Sequence, residues 1–431
     1  VNKEKNKDFN PMERKKVVII GAGFGGLNLA KELEKSVYQV ILLDRNNFHT
    51  FQPLLYQVAT GGLEPGNIAY PVRRTFRNVS NFTFKMCNVE SINHLETKVI
   101  TSIGDVEYDY LVLAQGSSTN FFGNAQIEIN SLTLKTVSDA LDFRSNLMQN
   151  LERAINALTE EDKEELVNVA IVGGGPAGLE MAGAIAEMKN YVLPKDYPEI
   201  NFKLMHVVLF EAGDKLLANM SESASAKALE YLTKMGVEVK LNTQVKNYDG
   251  KKVELADGTT FNSETLMWTA GVKGNLIAGL QDQVEAKGGR FVVDAFNHVV
   301  PFKNIFAIGD IAIQVQSDYP KGVPMLATTA IQQGVHLAQN FMRVAQQKEP
   351  KPYTYFNKGV MATIGKNKAV ADIWKLHFSG IGAWFLWMGV HIYSLVGFRN
   401  KLVSLLNWTM SYFNYDRPLG LIIRKYNKQK N

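Results

Sequence analysis

Two glycine runs carry the chemistry most legible in this sequence. Gly21-Ala22-Gly23-Phe24-Gly25-Gly26 satisfies GxGxxG, and Gly173-Gly174-Gly175-Pro176-Ala177-Gly178 repeats it far along the chain. In such a turn the first glycine permits a tight bend and the second lets a pyrophosphate approach the backbone. The third lets the following helix pack close to its strand. Free N–H groups and the positive dipole end of the helix N-terminus then face the anion. Each turn also has an acid where a ribose would be held. Asp44 lies 18 residues beyond Gly26, placed to accept from both hydroxyls of an adenosine ribose. Glu211 lies 33 residues beyond Gly178, against a usual spacing of about 20. The excess falls in residues 190–200 (NYVLPKDYPEI), read as a loop inserted after the helix that leaves the strand end in place.

The elements around these turns are those that the motif requires. Residues 16–20 (KVVII) form a short β-branched run of the kind buried in a parallel sheet, 27–35 reads as a helix, and 39–44 (QVILLD) as a second strand. The same βαβ grammar recurs with a strand at 167–172, a helix at 179–189 and a strand at 206–211. Short strand pairs are expected near 85–102 and 238–261, the latter with an Ala256-Asp257-Gly258 turn, and two further apolar runs end at Ala114 and Ala270. A chain of 431 residues has room for two or three domains. The expected fold is therefore α/β, with two Rossmann-type dinucleotide-binding domains and a C-terminal helical segment associated with a membrane.

Composition narrows the alternatives. Apolar residues make up 46% and charged residues 21%, which fits a folded globular protein, and the net charge of +5 is too mild for a nucleic-acid groove. The single cysteine, Cys87, excludes an intramolecular disulfide, a CxxC redox pair and a cysteine-ligated zinc or iron-sulfur site; no metal is expected. The first sixteen residues are polar and contain no apolar signal core, so the bulk of the protein is expected on the cytoplasmic side, with Val1 and Met12 both open as the native start.

Residues 306–310, Phe-Ala-Ile-Gly-Asp, form an apolar strand ending in Gly-Asp. This segment resembles the second flavin fingerprint of pyridine-nucleotide flavoprotein reductases. That resemblance implies FAD on the first domain, with Asp310 at its ribityl chain, and NAD on the second. Glu211 would repel a 2′-phosphate and no Arg follows it, so NADH is favoured over NADPH. The expected domains are a polar tail (1–14), an FAD domain (15–122 and 296–340), an NAD domain (123–295) and a C-terminal domain (341–431).

Within that superfamily the chain is similar to the type II NADH:quinone oxidoreductases. The similarity rests on residues 21–27, 51–61 (FQPLLYQVATG), 173–183 (GGGPAGLEMAG), 268–272 (WTAGV) and 383–387 (AWFLW), in this order and spacing. It implies cofactor contacts from Gly21, Gly23, Phe24, Gly25, Gly26, Asp44, Arg45, His49, Val89, Ala114, Gly116, Asp310, Ala327 and Thr328 in the first domain. In the second it implies Gly173, Gly175, Pro176, Gly178, Glu180, Glu211 and Gly271. Glu180, just inside the second turn, would place the nicotinamide or handle a proton beside the flavin. The family's quinone pattern AQxAxQ falls on residues 327–332, with Thr328 where the pattern has its first Gln. A hydroxyl is shorter than an amide and offers fewer donors, so its contact with a quinone carbonyl must differ. Gln332, Gln333 and Tyr56 are the other polar candidates. The implied reaction is electron transfer from NADH through FAD to a quinone, with the cofactor carrying the redox chemistry and without proton pumping. Reduction of another acceptor, or NADH sensing at a membrane, are the alternatives.

From residue 380 onward the chain becomes aromatic and apolar. Residues 380–398 contain no formal charge over 19 positions, close to the minimum for a membrane span. His391, Tyr393, Ser394 and several glycines dilute that run, and Arg399 and Lys401 lead into a second apolar stretch. Two interfacial helices lying on the membrane over about 380–424 fit this pattern best; a true span and a homodimer interface remain the other readings.

Overall fold

Four consecutive buried residues in the strand Lys16–Ile20 fit only a sheet covered on both faces, and the strand lies at the centre of one. The computed structural model describes residues 14–280, 286–414, 420–422 and 425–426. It divides into two units, which are taken in turn.

The first unit is built from the described parts of Val1–His49, Tyr70–Ser118 and Lys273–Phe356. Its five-stranded parallel sheet runs in the order Ile305–Ala307, Tyr110–Leu113, Lys16–Ile20, Gln39–Asp44 and Phe82–Met86. The late strand thus returns to the sheet that carries the first glycine turn. The helix Phe24–Glu32 begins within that turn, earlier than the 27–35 expected, because Gly25 and Gly26 already belong to it. It packs on the helix Ala327–Ala345, and a Cβ on Gly334 would stand 2.5 Å from the Gly25 carbonyl oxygen. That approach needs glycine. The described residues of 273–295, placed by the sequence in the second domain, belong here: Phe291 pairs with Ala312, and Ile277, Leu280 and Phe291 join Val18, Ile20 and Leu43 in one apolar cluster.

The second unit comprises Thr50–Ala69, Thr119–Val272 and the described part of Asn357–Asn431. Its parallel sheet has the order Val237–Lys240, Val207–Phe210, Val169–Val172 and Thr265–Trp268. The helix Pro176–Glu187 has proline in its first turn, where no intrahelical partner is lost. Residues 190–200 begin as helix and not as the expected loop: a π turn, Met188–Val192, leads into Leu193–Asp196. Pro194 bars regular i→i+4 bonding there, and the wider turn accommodates it. Residues 50–69, assigned by the sequence to the first domain, fold in this unit, with the helix Leu55–Ala59 against Val137–Ile155 and Pro176–Glu187.

The described part of the C-terminal segment from Asn357 onward folds within the second unit. Strands Val360–Gly365, Lys368–Ile373 and Leu376–Ser379 form an antiparallel sheet whose first strand lies on the helix Pro176–Glu187. Two helices follow, Ile381–Ser394 and Phe398–Asn414, separated where Gly397 takes a φ of +86°. The uncharged run is therefore split. A helix of 14 residues rises about 21 Å, short of a hydrocarbon core of about 30 Å. Among the described residues no helix is long and apolar enough to cross a membrane.

Candidate functional site

The first glycine turn is held by its acid. Asp44 Oδ2 accepts from the Ala22 N–H at 2.6 Å and Oδ1 from the Asn46 N–H at 2.7 Å. Burial raises its carboxyl above the usual range, and these two backbone donors oppose the rise. Gly21, with a φ of +105°, would drive a Cβ to 2.4 Å from the Ala114 carbonyl oxygen, and a Cβ on Gly26 would stand 2.0 Å from the Gly21 carbonyl oxygen. At Gly23 the same construction meets only the Ala114 oxygen among the described residues, at 3.9 Å. The turn is packed on its inner side and open at the position where an anion must approach. His49 is buried, its Nδ1 2.8 Å from the Ala22 carbonyl oxygen and its ring edge-on to Phe24. Burial holds its imidazole down at about 4, so it is neutral.

Other first-unit candidates fall around this turn or on the helix that packs against it. Asp310 lies in the short turn Gly309–Ile311 and accepts from the Ser117 hydroxyl at 2.6 Å. Ala114 follows the strand Tyr110–Leu113 beside the turn, Gly116 has a φ of +69°, Arg45 follows Asp44, and Val89 begins a strand at the edge of the apolar cluster. Ala327 and Thr328 open the helix Ala327–Ala345, with Thr328 against the Tyr355 hydroxyl. Gln333 is fully buried and its Oε1 accepts from the Gly309 N–H at 2.7 Å. Gln332 forms a two-way bridge with the Phe356 backbone, Nε2 donating at 2.9 Å and Oε1 accepting at 3.0 Å. Its amide is already engaged structurally.

The second turn repeats the first. Glu211 Oε2 accepts from the Gly174 N–H at 2.5 Å and Oε1 from the Gly213 N–H at 2.6 Å. Gly173 has a φ of +111°, and a Cβ on Gly178 would stand 1.9 Å from the Gly173 carbonyl oxygen. A Cβ on Gly175 would meet nothing within 4 Å among the described residues, so the approach to the N-terminus of the helix at Pro176 is open. Gly271, with a φ of +76°, carries the chain past the same sheet end.

Glu180 projects from that helix into a cavity built wholly within the second unit. The cavity holds about 730 Å³ of empty space, part of it open to solvent. Tyr56 and Glu180, two of the sequence candidates, meet there; sequence reasoning missed the other walls. These are Gln57, Glu187, Lys366 and the side chains of Trp384, Trp387, Met388, Trp408 and Tyr412. Gln57 links two walls, its Nε2 donating to the Tyr56 hydroxyl at 2.8 Å and its Oε1 accepting from Trp408 Nε1 at 2.6 Å. Trp387 is 3% exposed, and its indole N–H is buried with no acceptor among the described residues. Burial raises the Glu180 carboxyl well above the usual range, opposed by a hydrogen bond from the Thr363 backbone. The arrangement can present a proton and an indole N–H to a flat, mainly apolar molecule carrying carbonyl oxygens. The motifs at 51–61 and 383–387 could have found these walls, because each contributes residues to one cavity.

Comparison with known proteins bears on both parts. The chain matches the family described as pyridine nucleotide-disulphide oxidoreductase over residues 15–334, and the NDH2 C-terminal domain over 357–414. It is 34% identical to the type II NADH:quinone oxidoreductase Ndh of Mycobacterium tuberculosis, the alignment covering 94% of this chain and 90% of that protein. A second protein of that organism, type II NADH:quinone oxidoreductase NdhA, is 35% identical over 94% of this chain and 88% of its own length. Among solved structures, NDH2 from Plasmodium falciparum in complex with NADH superposes with a TM-score of 0.88 at 21% identity, covering 94% of this chain and all of that one.

Proposed function

The chain belongs to the type II NADH:quinone oxidoreductases, and from that premise we propose that it takes two electrons from NADH and passes them, by way of FAD, to a membrane quinone. When bound, FAD supplies the two-electron chemistry that no side chain here can perform. The protein's contribution is binding, orientation and proton supply. An internal redox disulfide is closed to a chain whose one cysteine is Cys87.

The residues present fit both nucleotides. The first turn, open at Gly23 and tied to Asp44, would hold the FAD pyrophosphate and adenosine ribose, with Asp310 toward the ribityl chain. The second, open at Gly175 and tied to Glu211, would hold NADH. Each acid spends one lone pair per oxygen on the backbone and keeps others for ribose hydroxyls. Arg45, His49 and Phe24 would shape the first site, and Thr328 would reach it from the opening of its helix.

The observation that carries the acceptor assignment is the aromatic cavity, with its buried acid and its unsatisfied indole N–H. A quinone ring is flat and apolar, takes up protons on reduction, and has carbonyl oxygens to accept from Trp387 Nε1. Burial favours the protonated form of the Glu180 carboxyl, which suits it to donate. Outward from the cavity the same two helices expose Ile381, Phe385, Tyr393, Phe398, Leu406 and Met410. Such a face suits attachment to the surface of a bilayer in which the quinone dissolves, on the cytoplasmic side.

Steady-state NADH consumption with and without a soluble quinone tests the reading. Turnover that requires the quinone supports it; bleaching of bound flavin without turnover would favour an NADH-sensing flavoprotein.

A further inference from the structure

Quinone reduction by NADH needs one proton beyond the hydride. NADH, H⁺ and quinone give NAD⁺ and quinol: the hydride brings both electrons and one hydrogen, and the medium supplies the other. If the aromatic cavity is the acceptor site, as proposed above, that proton must be delivered to Glu180, whose carboxyl is buried on the cavity wall.

Glu187 lies seven residues beyond Glu180 on the helix Pro176–Glu187. Seven residues return to the same helix face after about 10 Å of rise, and both carboxyls line the cavity. They lie under different parts of the hairpin. Glu180 sits beneath Thr363, in the buried part of the strand. Glu187 sits beneath the turn, where Oε1 accepts from the Lys366 N–H at 2.6 Å and would lie 2.9 Å from a Cβ on Gly365. Residues 365–368 are half-buried and reach water. The helix changes to π bonding directly after Glu187.

Other titratable groups facing the cavity are Tyr56, Lys366 and Tyr412. The Lys366 ammonium donates to the Tyr412 carbonyl at 2.5 Å and lies 4.1 Å from the centre of that ring, so it braces the last helix. Trp387, whose buried indole N–H has no acceptor among the described residues, lines the same cavity and independently points to a polar ligand there.

We propose that Glu187 is the entry carboxyl of a two-acid proton path, taking protons from the medium at the Gly365–Asn367 turn and reloading Glu180. Water in the cavity bridges the gap between the two side chains. No bond other than O–H is made or broken along the path, and each proton leaving Glu180 is replaced by one arriving through Glu187.

Infrared difference spectroscopy on the full-length, FAD-loaded protein tests this. The C=O stretch of the protonated Glu180 carboxyl, identified by its loss in Glu180→Gln, shifts on transfer to D₂O. Glu187→Gln should slow that shift by about tenfold or more, and Glu187→Asp should restore most of the rate. In the same Gln variant, reoxidation by a soluble quinone should begin to slow at lower pH than in the wild type. Glutamine still accepts from the Lys366 N–H, so a purely structural Glu187 would move neither readout. Unchanged exchange in Glu187→Gln would overturn the path while leaving the acceptor cavity in place. Reoxidation of Glu180→Gln at the wild-type rate would instead remove the cavity assignment, and the path with it.

Discussion

Gly183 lies so close to Ile364 that a Cβ added to it would stand 1.7 Å from the Ile364 carbonyl oxygen. The C-terminal hairpin therefore rests directly on the helix that carries Glu180 and Glu187, and the Thr363 backbone reaches Glu180 because of it. Gly183→Val must push the hairpin away. Overpacking of this kind costs about 1–3 kcal/mol, more than the roughly 0.5–1 kcal/mol gained by removing a helical glycine. A lower thermal midpoint by calorimetry, with quinone reduction impaired more than flavin reduction by NADH, is the expected result.

The two acids should separate the two nucleotides. Asp44→Ala should reduce FAD retention, whereas Glu211→Ala should raise the KM for NADH and leave FAD bound. Each loses a hydrogen-bonding carboxylate, a change of roughly 1.5–3 kcal/mol or about 10- to 150-fold. Flavin absorbance after gel filtration and steady-state kinetics give both numbers, and equal flavin loss in the two variants would undo the assignment.

Glu211 also sets nucleotide choice. Its charge at the ribose position should make kcat/KM for NADH at least about tenfold that for NADPH. Stopped-flow reduction with each nucleotide measures this, and similar efficiencies would take Glu211 away from the ribose.

His391 predicts a pH dependence of stability. Its ring stacks on Trp387 at 4.1 Å, its Nδ1 lies 2.7 Å from the Trp387 carbonyl oxygen, and burial lowers it from 6.5 to about 4. A depressed folded value means that the unfolded chain takes up the proton first. The contribution is whole above pH 6.5 and is lost as pH falls toward 4, amounting to about 3 kcal/mol. His391→Phe keeps a stacking ring and should lose about that much less between pH 7 and 4 in urea unfolding. The slope from His49, lowered in the same window, should remain.

Much of this was legible in the residues. Glycine spacing and terminal acids located both turns, because a tight bend and an anion site restrict residue type sharply. The segment at 306–310 returned to the first sheet as expected. Boundaries were harder: residues 50–69 and 273–295 cross to the other unit through contacts that no local pattern encodes. The tail read as a membrane element because its outward face is apolar. Its inward face, with Trp387, Trp408 and Tyr412 lining the Glu180 cavity, is equally aromatic, so composition could not separate lining from anchor.

Anaerobic double-mixing tests the central claim most directly. The FAD-loaded protein is first mixed with one equivalent of NADH, which should bleach the flavin, and then with one equivalent of a soluble quinone. Full recovery of flavin absorbance, with one quinol formed per NADH consumed, is the predicted result. Flavin that bleaches with NADH and stays bleached in the presence of quinone would contradict the account.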